Sequence, residues 1–197
     1  RVHFPHIFAV SCVMHPLFQL ILRDQYPRLP AVIKHFHEAR LAHFDGKVEV
    51  KGSNGLMARL LRKLSGFPSP AAAEVDMVVK VIRTEVQERW SRNFNNSQFS
   101  STLTRINRTN LLREDFGLFN FCYSLRVRNE RIVWQLESWS FAGIPMLEEL
   151  IEVDAWEGAT PDGNYCFAFK VEFPLAGVLI DYSGWLAIPA PRTTAAP

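Results

Sequence analysis

The sequence predicts an α+β, mainly β fold: N-terminal helices packed on a strongly curved antiparallel meander sheet that approaches a β-barrel. Three observations predict it. Apolar residues recur at helical spacing up to Phe67 and switch, from Ala71 onward, to a period of two. The strand-length segments that follow are joined by short turns, none able to hold the dozen or so residues that a parallel crossover needs. A run of sequential strands this long in one sheet tends to curl or to close on itself.

"HPLFQLILRDQYPRLPAVIKHFHEAR" reads as two helices broken at Pro27 and Pro30. Leu17, Leu20 and Ile21, then Val32, Ile33 and Phe36, fall at helical spacing. "DGKVEVKG" reads as a short strand bounded by turn residues at Asp45-Gly46 and at Gly52. "NGLMARLLRKLSGF" follows as a short amphipathic helix that Asn54 could cap and that Gly66 and Pro68 stop. The period-two region opens with "EVDMVVKVIRTEVQERWSRNF", one long strand or a bent hairpin. "SQFSSTLTRI", "LFNFCYSLRVR", "RIVWQLESWSF", "LIEVDAWEG", "YCFAFKVEF" and "VLIDYSGWLAI" continue it, for roughly seven to nine strands in all. Turn chemistry marks the joins, for example Asn95-Asn96, Pro161-Asp162-Gly163 and Pro174 through Gly177. Residues 14–188 are expected to form this single domain. An upstream or vector-derived segment is expected at residues 1–13, and a disordered tail, "PAPRTTAAP", at residues 189–197.

Composition narrows the function classes. The 197 residues are 48% apolar and 21% charged, enough to bury one core without metal or disulfide staples. A formal charge of +2, spread singly among acids, argues against a nucleic-acid partner. No apolar run approaches the ~18 to 20 residues of a membrane span. Cys12, Cys122 and Cys166 cannot close a disulfide framework and read as reduced thiols of a cytoplasmic protein. The histidines show no metal spacing: His35 and His37, two apart on a helix, point away from each other. No metal and no cofactor is expected. Either histidine could be a general base only with geometry that the sequence does not supply.

The strand faces carry the candidate site. Gln87, Arg89, Ser91 and Asn93 form a polar set, which sends Glu88, Trp90, Arg92 and Phe94 inward. A guanidinium on a dry face needs a carboxylate or several carbonyls. Glu114, which an antiparallel return could bring alongside, is the first candidate partner. Glu88 is the second, although four residues along one strand is roughly 13 Å. Such a pair could simply fix the barrel, or Arg92 could orient a ligand's carboxylate, enolate or carbonyl oxygen. Tyr182 could give a proton to a ligand oxygen or bond backbone. Glu148, Glu149, Glu152, Asp154 and Glu157 read as a solvated strand edge. Asp154 joins the acid/base candidates only if its face turns inward. Rings alternate along several strands, and Trp90, Phe94, Phe121, Tyr123, Trp134, Trp139 and Trp185 could line an apolar pocket or simply fill the core.

"ERWSRNFNNSQFSS", "EDFGLFNFCYSL", "IVWQLESWSFAGIPM" and "VEFPLAGVLIDYSGWL" occur in this order. They resemble domain-of-unknown-function family 4166, a domain often fused after a saccharopine-dehydrogenase-like oxidoreductase in bacteria. "LPAVIKHFH" and "FDGKVEVKG" extend the similarity to roughly residues 16–187. The resemblance implies no activity, and the Gly-rich dinucleotide fingerprint of the fused module is missing here. The expected function is therefore binding of a small, largely apolar or amphipathic molecule that carries an anionic or carbonyl group. The alternatives are a cofactor-free isomerase, cyclase or lyase in the same pocket, with Arg92, Glu114, Glu88, Asp154 and Tyr182 as its catalytic groups, and an accessory module for an oxidoreductase in trans.

Overall fold

The structure, a computed structural model, describes residues 15–95, 97–106 and 109–189. Cys12, the expected upstream segment and nearly all of the expected tail lie outside the described residues. Three α-helices, α1 (Leu17–Leu22), α2 (Ala31–Glu38) and α3 (Leu56–Ser65), accompany eleven strands. The strands are β1 (Leu41–Lys51), β2 (Val75–Arg83), β3 (Gln87–Phe94), β4 (Ser97–Arg105), β5 (Leu111–Phe116) and β6 (Phe119–Arg128), then β7 (Arg131–Phe141), β8 (Ile144–Met146), β9 (Glu152–Ala159), β10 (Tyr165–Phe173) and β11 (Gly177–Ala187). Among the described residues no helix is long and apolar enough to cross a membrane.

Every strand pairing is antiparallel, and ten of the strands close into a barrel. Closure falls on β7, which pairs with β6 along one edge and divides its other edge between two strands. Ile132 to Trp134 pair with Glu157 to Ala155 of β9, and Trp139 to Phe141 pair with Met146 to Ile144 of β8. Between those stretches β7 has no strand partner on that edge, and opposite Cys122/Tyr123 its register slips by a bulge.

Two sequence expectations, the strand count and the Asp45-Gly46 turn, need correction. The long period-two run at residues 75–94 is the hairpin of its two expected forms, because Thr84 turns the chain. Its N–H donates to Gln87 O at 2.9 Å, and its hydroxyl accepts from Gln87 N at 3.2 Å. That split, together with the short β5 and β8, raises the strand count above the expected seven to nine. The Asp45-Gly46 pair, expected to be a turn, lies inside the eleven-residue β1. A Cβ on Gly46 would stand 1.9 Å from Trp185 O, and one on Gly184 would stand 2.1 Å from Lys47 O. These two glycines let the paired backbones of β1 and β11 approach each other where no side chain fits.

Proline sets the helix starts. Pro16 and Pro30 each take an extended conformation immediately before a helix. From α1, Phe18 reaches the barrel interior, its ring 5.7 Å from Trp134. From α2, Phe36 stacks on Tyr165 at 4.2 Å. Asn54 does not cap α3, which begins after Gly55 without a side-chain cap, whereas Gly66 ends it with a left-handed turn at φ 73°. The amphipathicity of α3 is turned outward. Leu56, Met57, Leu60 and Leu64 are exposed, while Ala58, Arg62 and Ser65 are buried. Arg62 explains this orientation, because its guanidinium donates to Leu179 O at 3.1 Å and to Ser53 O at 2.7 Å.

Gly184→Ala should destabilise the fold by about 1–3 kcal/mol, since the methyl group meets backbone that cannot withdraw. Gly55→Ala, with no atom within 4 Å of its new Cβ, should stay within about 0.5 kcal/mol of the parent. Urea unfolding of the two variants tests the close approach, and equal stabilities would contradict it.

Candidate ligand cavity

The alternation of β3 delivers Glu88, Trp90, Arg92 and Phe94 to the interior, as their burial shows. Arg92 lies between two rings, its guanidinium carbon 5.0 Å from the Trp90 centroid and 4.9 Å from that of Phe99. Its Nη1 donates to Ser101 Oγ at 2.9 Å, and its Nη2 donates to Glu114 Oε1 at 3.4 Å. The register explains the meeting: Trp90 pairs with Ser101 across β3–β4, and Leu103 pairs with Glu114 across β4–β5. Neither contact uses the whole guanidinium, and the remaining N–H groups find no acceptor among the described residues.

A cavity of about 50 Å³ touches this cluster. Arg92, Glu114, Tyr182, Trp90 and Trp134 line it, together with Phe36, Glu157 and Tyr165. Burial pushes the Glu114 carboxyl above the ordinary carboxylate range, and the pull of Arg92 and Ser101 only partly opposes it. Burial likewise pushes the Tyr182 phenol up to about 12, so it faces the cavity as a protonated donor. Tyr182 makes no hydrogen bond to another described residue. Nearby, Tyr123 Oη and Trp134 Nε1 are buried without hydrogen-bond partners among the described residues. The interior therefore holds several unspent hydrogen-bond donors beside the carboxyls of Glu114 and Glu157.

The structure separates the remaining candidates. Glu88 is buried but belongs to another cluster: Trp90 Nε1 donates to its Oε2 at 2.9 Å, and Arg83 Nε lies 3.2 Å from its Oε1. The Arg83 contact is a charge pair without hydrogen-bond alignment, since both atoms lack a hydrogen-bond partner. Asp154 is exposed, because the inward face of β9 is Val153, Ala155 and Glu157. Trp185 is half-buried on the outer wall, beside Lys47 and Cys166 in the register. Phe94, Phe121, Tyr123 and Trp139 are buried in the core without lining the cavity, and Trp139 Nε1 donates to Leu147 O at 2.9 Å.

One pair escaped the sequence reading. His37, fully buried, places Nε2 2.7 Å from Glu157 Oε2, with Phe18 stacked on the imidazole at 3.7 Å. Its Nδ1 has no hydrogen-bond partner among the described residues. Both residues carried a usable signal. His37 follows Ile33 and Phe36 on one helical stripe, and Glu157 shares its parity with Val153 and Ala155. The acidic run around Glu157 concealed its inward direction. Among the described residues no group of three or more His, Cys, Asp or Glu could hold a metal ion.

The family described as Domain of unknown function (DUF4166) matches residues 29–186, which takes in every residue lining the cavity. No curated protein is similar enough to match.

Glu114 binds its proton more tightly in the folded chain than in the unfolded one. The stability it contributes is therefore complete below the ordinary carboxylate range and is lost as pH rises through its raised value. Removing the Arg92 charge raises that value further. Arg92→Met should accordingly cost about 3–5 kcal/mol at about pH 8 and distinctly less at about pH 5. Adding Glu114→Gln should recover part of the loss at the higher pH. Urea unfolding at both pH values measures this, and a loss independent of pH would show that the two groups are not coupled.

Proposed function

The chain belongs to the family Domain of unknown function (DUF4166), so its function has to be read from its own cavity, and we propose that it binds a small, largely apolar molecule there through a carbonyl or carboxylate oxygen. One observation carries the reading: a barrel interior with unspent donors and a guanidinium held ready among rings. A buried N–H or O–H without a partner costs about 1–3 kcal/mol, a cost that an acceptor on a ligand removes. Aromatic walls supply the apolar contact, and the few polar groups fix orientation.

Size decides how the ligand must enter. The cavity of about 50 Å³ has room for a few water molecules, against roughly 300–1,000 Å³ for the pockets that hold drug-sized ligands. The cavity as it stands is too small for such a ligand, and binding requires a side chain that lines it to withdraw. Phe36 and Trp134 are the large rings at the cavity that belong to a helix and to the strand whose outer partner changes from β9 to β8.

Tyr182→Phe removes one hydroxyl and leaves the ring among Phe94, Phe167 and Phe169. A thermal-shift screen of small aromatic and aliphatic ketones and carboxylates should find ligands for the parent, weakened about five- to tenfold in Tyr182→Phe. No ligand for the parent, or equal affinity in the variant, would defeat the reading.

A second reading, cofactor-free acid/base chemistry, is favoured by the raised Glu114 carboxyl beside Arg92 and Tyr182. A carboxylate whose proton affinity is raised is a stronger base than an ordinary one, and it can take an α proton while a guanidinium or phenol steadies the enolate. A ketone from the screen, incubated in deuterated water, should exchange its α hydrogens faster with the protein than without. That acceleration should vanish in Glu114→Gln. Exchange at the buffer rate removes the enzyme reading and leaves binding intact.

A further inference from the structure

The outer wall carries a second hollow, of about 340 Å³, whose lining includes Arg126, Arg128, Leu136, Glu148, Val153 and Trp134. Trp134 is the residue to note, because it also lines the interior cavity. The indole is 7% exposed and stands between the two spaces. Alone, the inner space is too small for an organic ligand, whereas the outer one falls within the range that holds one.

The pairing of β7 with β9 ends at Trp134, opposite Ala155, and the strand turns to β8 only from Trp139. Leu136 and Val153, which line the hollow, follow on either side of that opening. No hydrogen bond to a described residue holds the indole inward. Its Nε1 is buried without an acceptor, and its ring contacts are a T-shaped one to Tyr123 at 5.2 Å and a tilted one to Phe18 at 5.7 Å. Outward rotation would give Nε1 to water and join the two spaces.

Charge indicates what would come through. Arg126 and Arg128 are exposed at the mouth, and neither has a carboxylate within ion-pair distance among the described residues. Glu148 lies in the same hollow, which leaves two cations against one acid. Inside, the free groups are donors that suit a carbonyl oxygen.

We propose that Trp134 is a gate through the barrel wall for an amphipathic acid, whose carboxylate stays on Arg126 and Arg128 while its apolar chain leads a carbonyl inward to Arg92 and Tyr182. The proposal rests on the interior cavity being a ligand site, and its test separates the two. The probes are 10-oxoundecanoate, with an acid and a ketone at opposite ends, and its methyl ester. Calorimetry should show the acid bound to the parent and weakened about tenfold in the double variant Arg126→Gln, Arg128→Gln, with the ester unaffected. Stopped-flow mixing should show association at least about fivefold faster in Trp134→Ala, or in Trp134→Phe if the alanine variant does not fold, because less side chain has to move. Equal weakening of acid and ester overturns the arginine assignment, and unchanged association rates in a folded Trp134 variant overturn the gate. If the parent binds neither probe yet binds short ketones in a Tyr182-dependent way, the proposal fails and the interior site stands. If it binds no ketone at all, both fail.

Discussion

The barrel is organised around one buried positive charge. Arg92 is held by Ser101 and Glu114 and flanked by Trp90 and Phe99, so a single side chain ties β3, β4 and β5 together across the interior. The arrangement answers the problem that a guanidinium poses on a dry face. Desolvating it is expensive, and a carboxylate alone seldom repays the cost. Here the two ring faces contribute attraction without taking up N–H groups, and Ser101 and Glu114 take only part of the fork. What remains points a cationic donor at the cavity. The same contact governs Glu114, whose burial outweighs its partner and leaves the carboxyl easier to protonate than usual.

Most of the rest follows from filling a barrel of ten strands. An interior of that girth is wider than the eight-stranded case that wall side chains alone can pack. The chain makes up the difference with rings from elsewhere: Phe18 and Phe36 from the helices before the sheet, and Phe67 from the segment after α3, which meets Phe99, Phe116 and Phe169. The filling is nearly complete, which is why the open space is small and why its polar lining matters more than its volume. His37 enters on the same helix as Phe36 and delivers a second charged or polar pair, with Glu157, to the cavity's edge. Closure has a cost in continuity, since β7 must serve β6, β9 and β8 in turn, and one edge of it has no strand partner among the described residues between Trp134 and Trp139.

The antiparallel, mainly β architecture was legible because it depends on local signals. Period-two alternation fixes which side chains share a face, and turns too short for a crossover force adjacent strands to run in opposite directions. The inward course of Trp90 and Arg92 belongs to the same class of inference. Even the meeting of Arg92 with Glu114 was within reach, because hairpins place successive strands side by side. Asp45-Gly46 was misjudged for the opposite reason: the pair looks like a turn locally, and only the close approach of the β11 backbone at Trp185 shows why a glycine belongs inside a strand.

By itself, then, the sequence determined the class of fold, the facing of its strands and a guanidinium among rings, all consequences of neighbours along the chain. Tertiary structure alone decided three things. The first is that Glu88 turns to Arg83 and Trp90 while Glu114 takes Arg92, since two inward carboxylates are distinguished only by the strand that passes over each. The second is that His37 meets Glu157, 120 residues away, because no local rule pairs a helix with the ninth strand. The third is the outward leucine face of α3. Helical periodicity reports that a face is apolar, but which way it points was settled by Arg62 finding backbone carbonyls at the barrel rim.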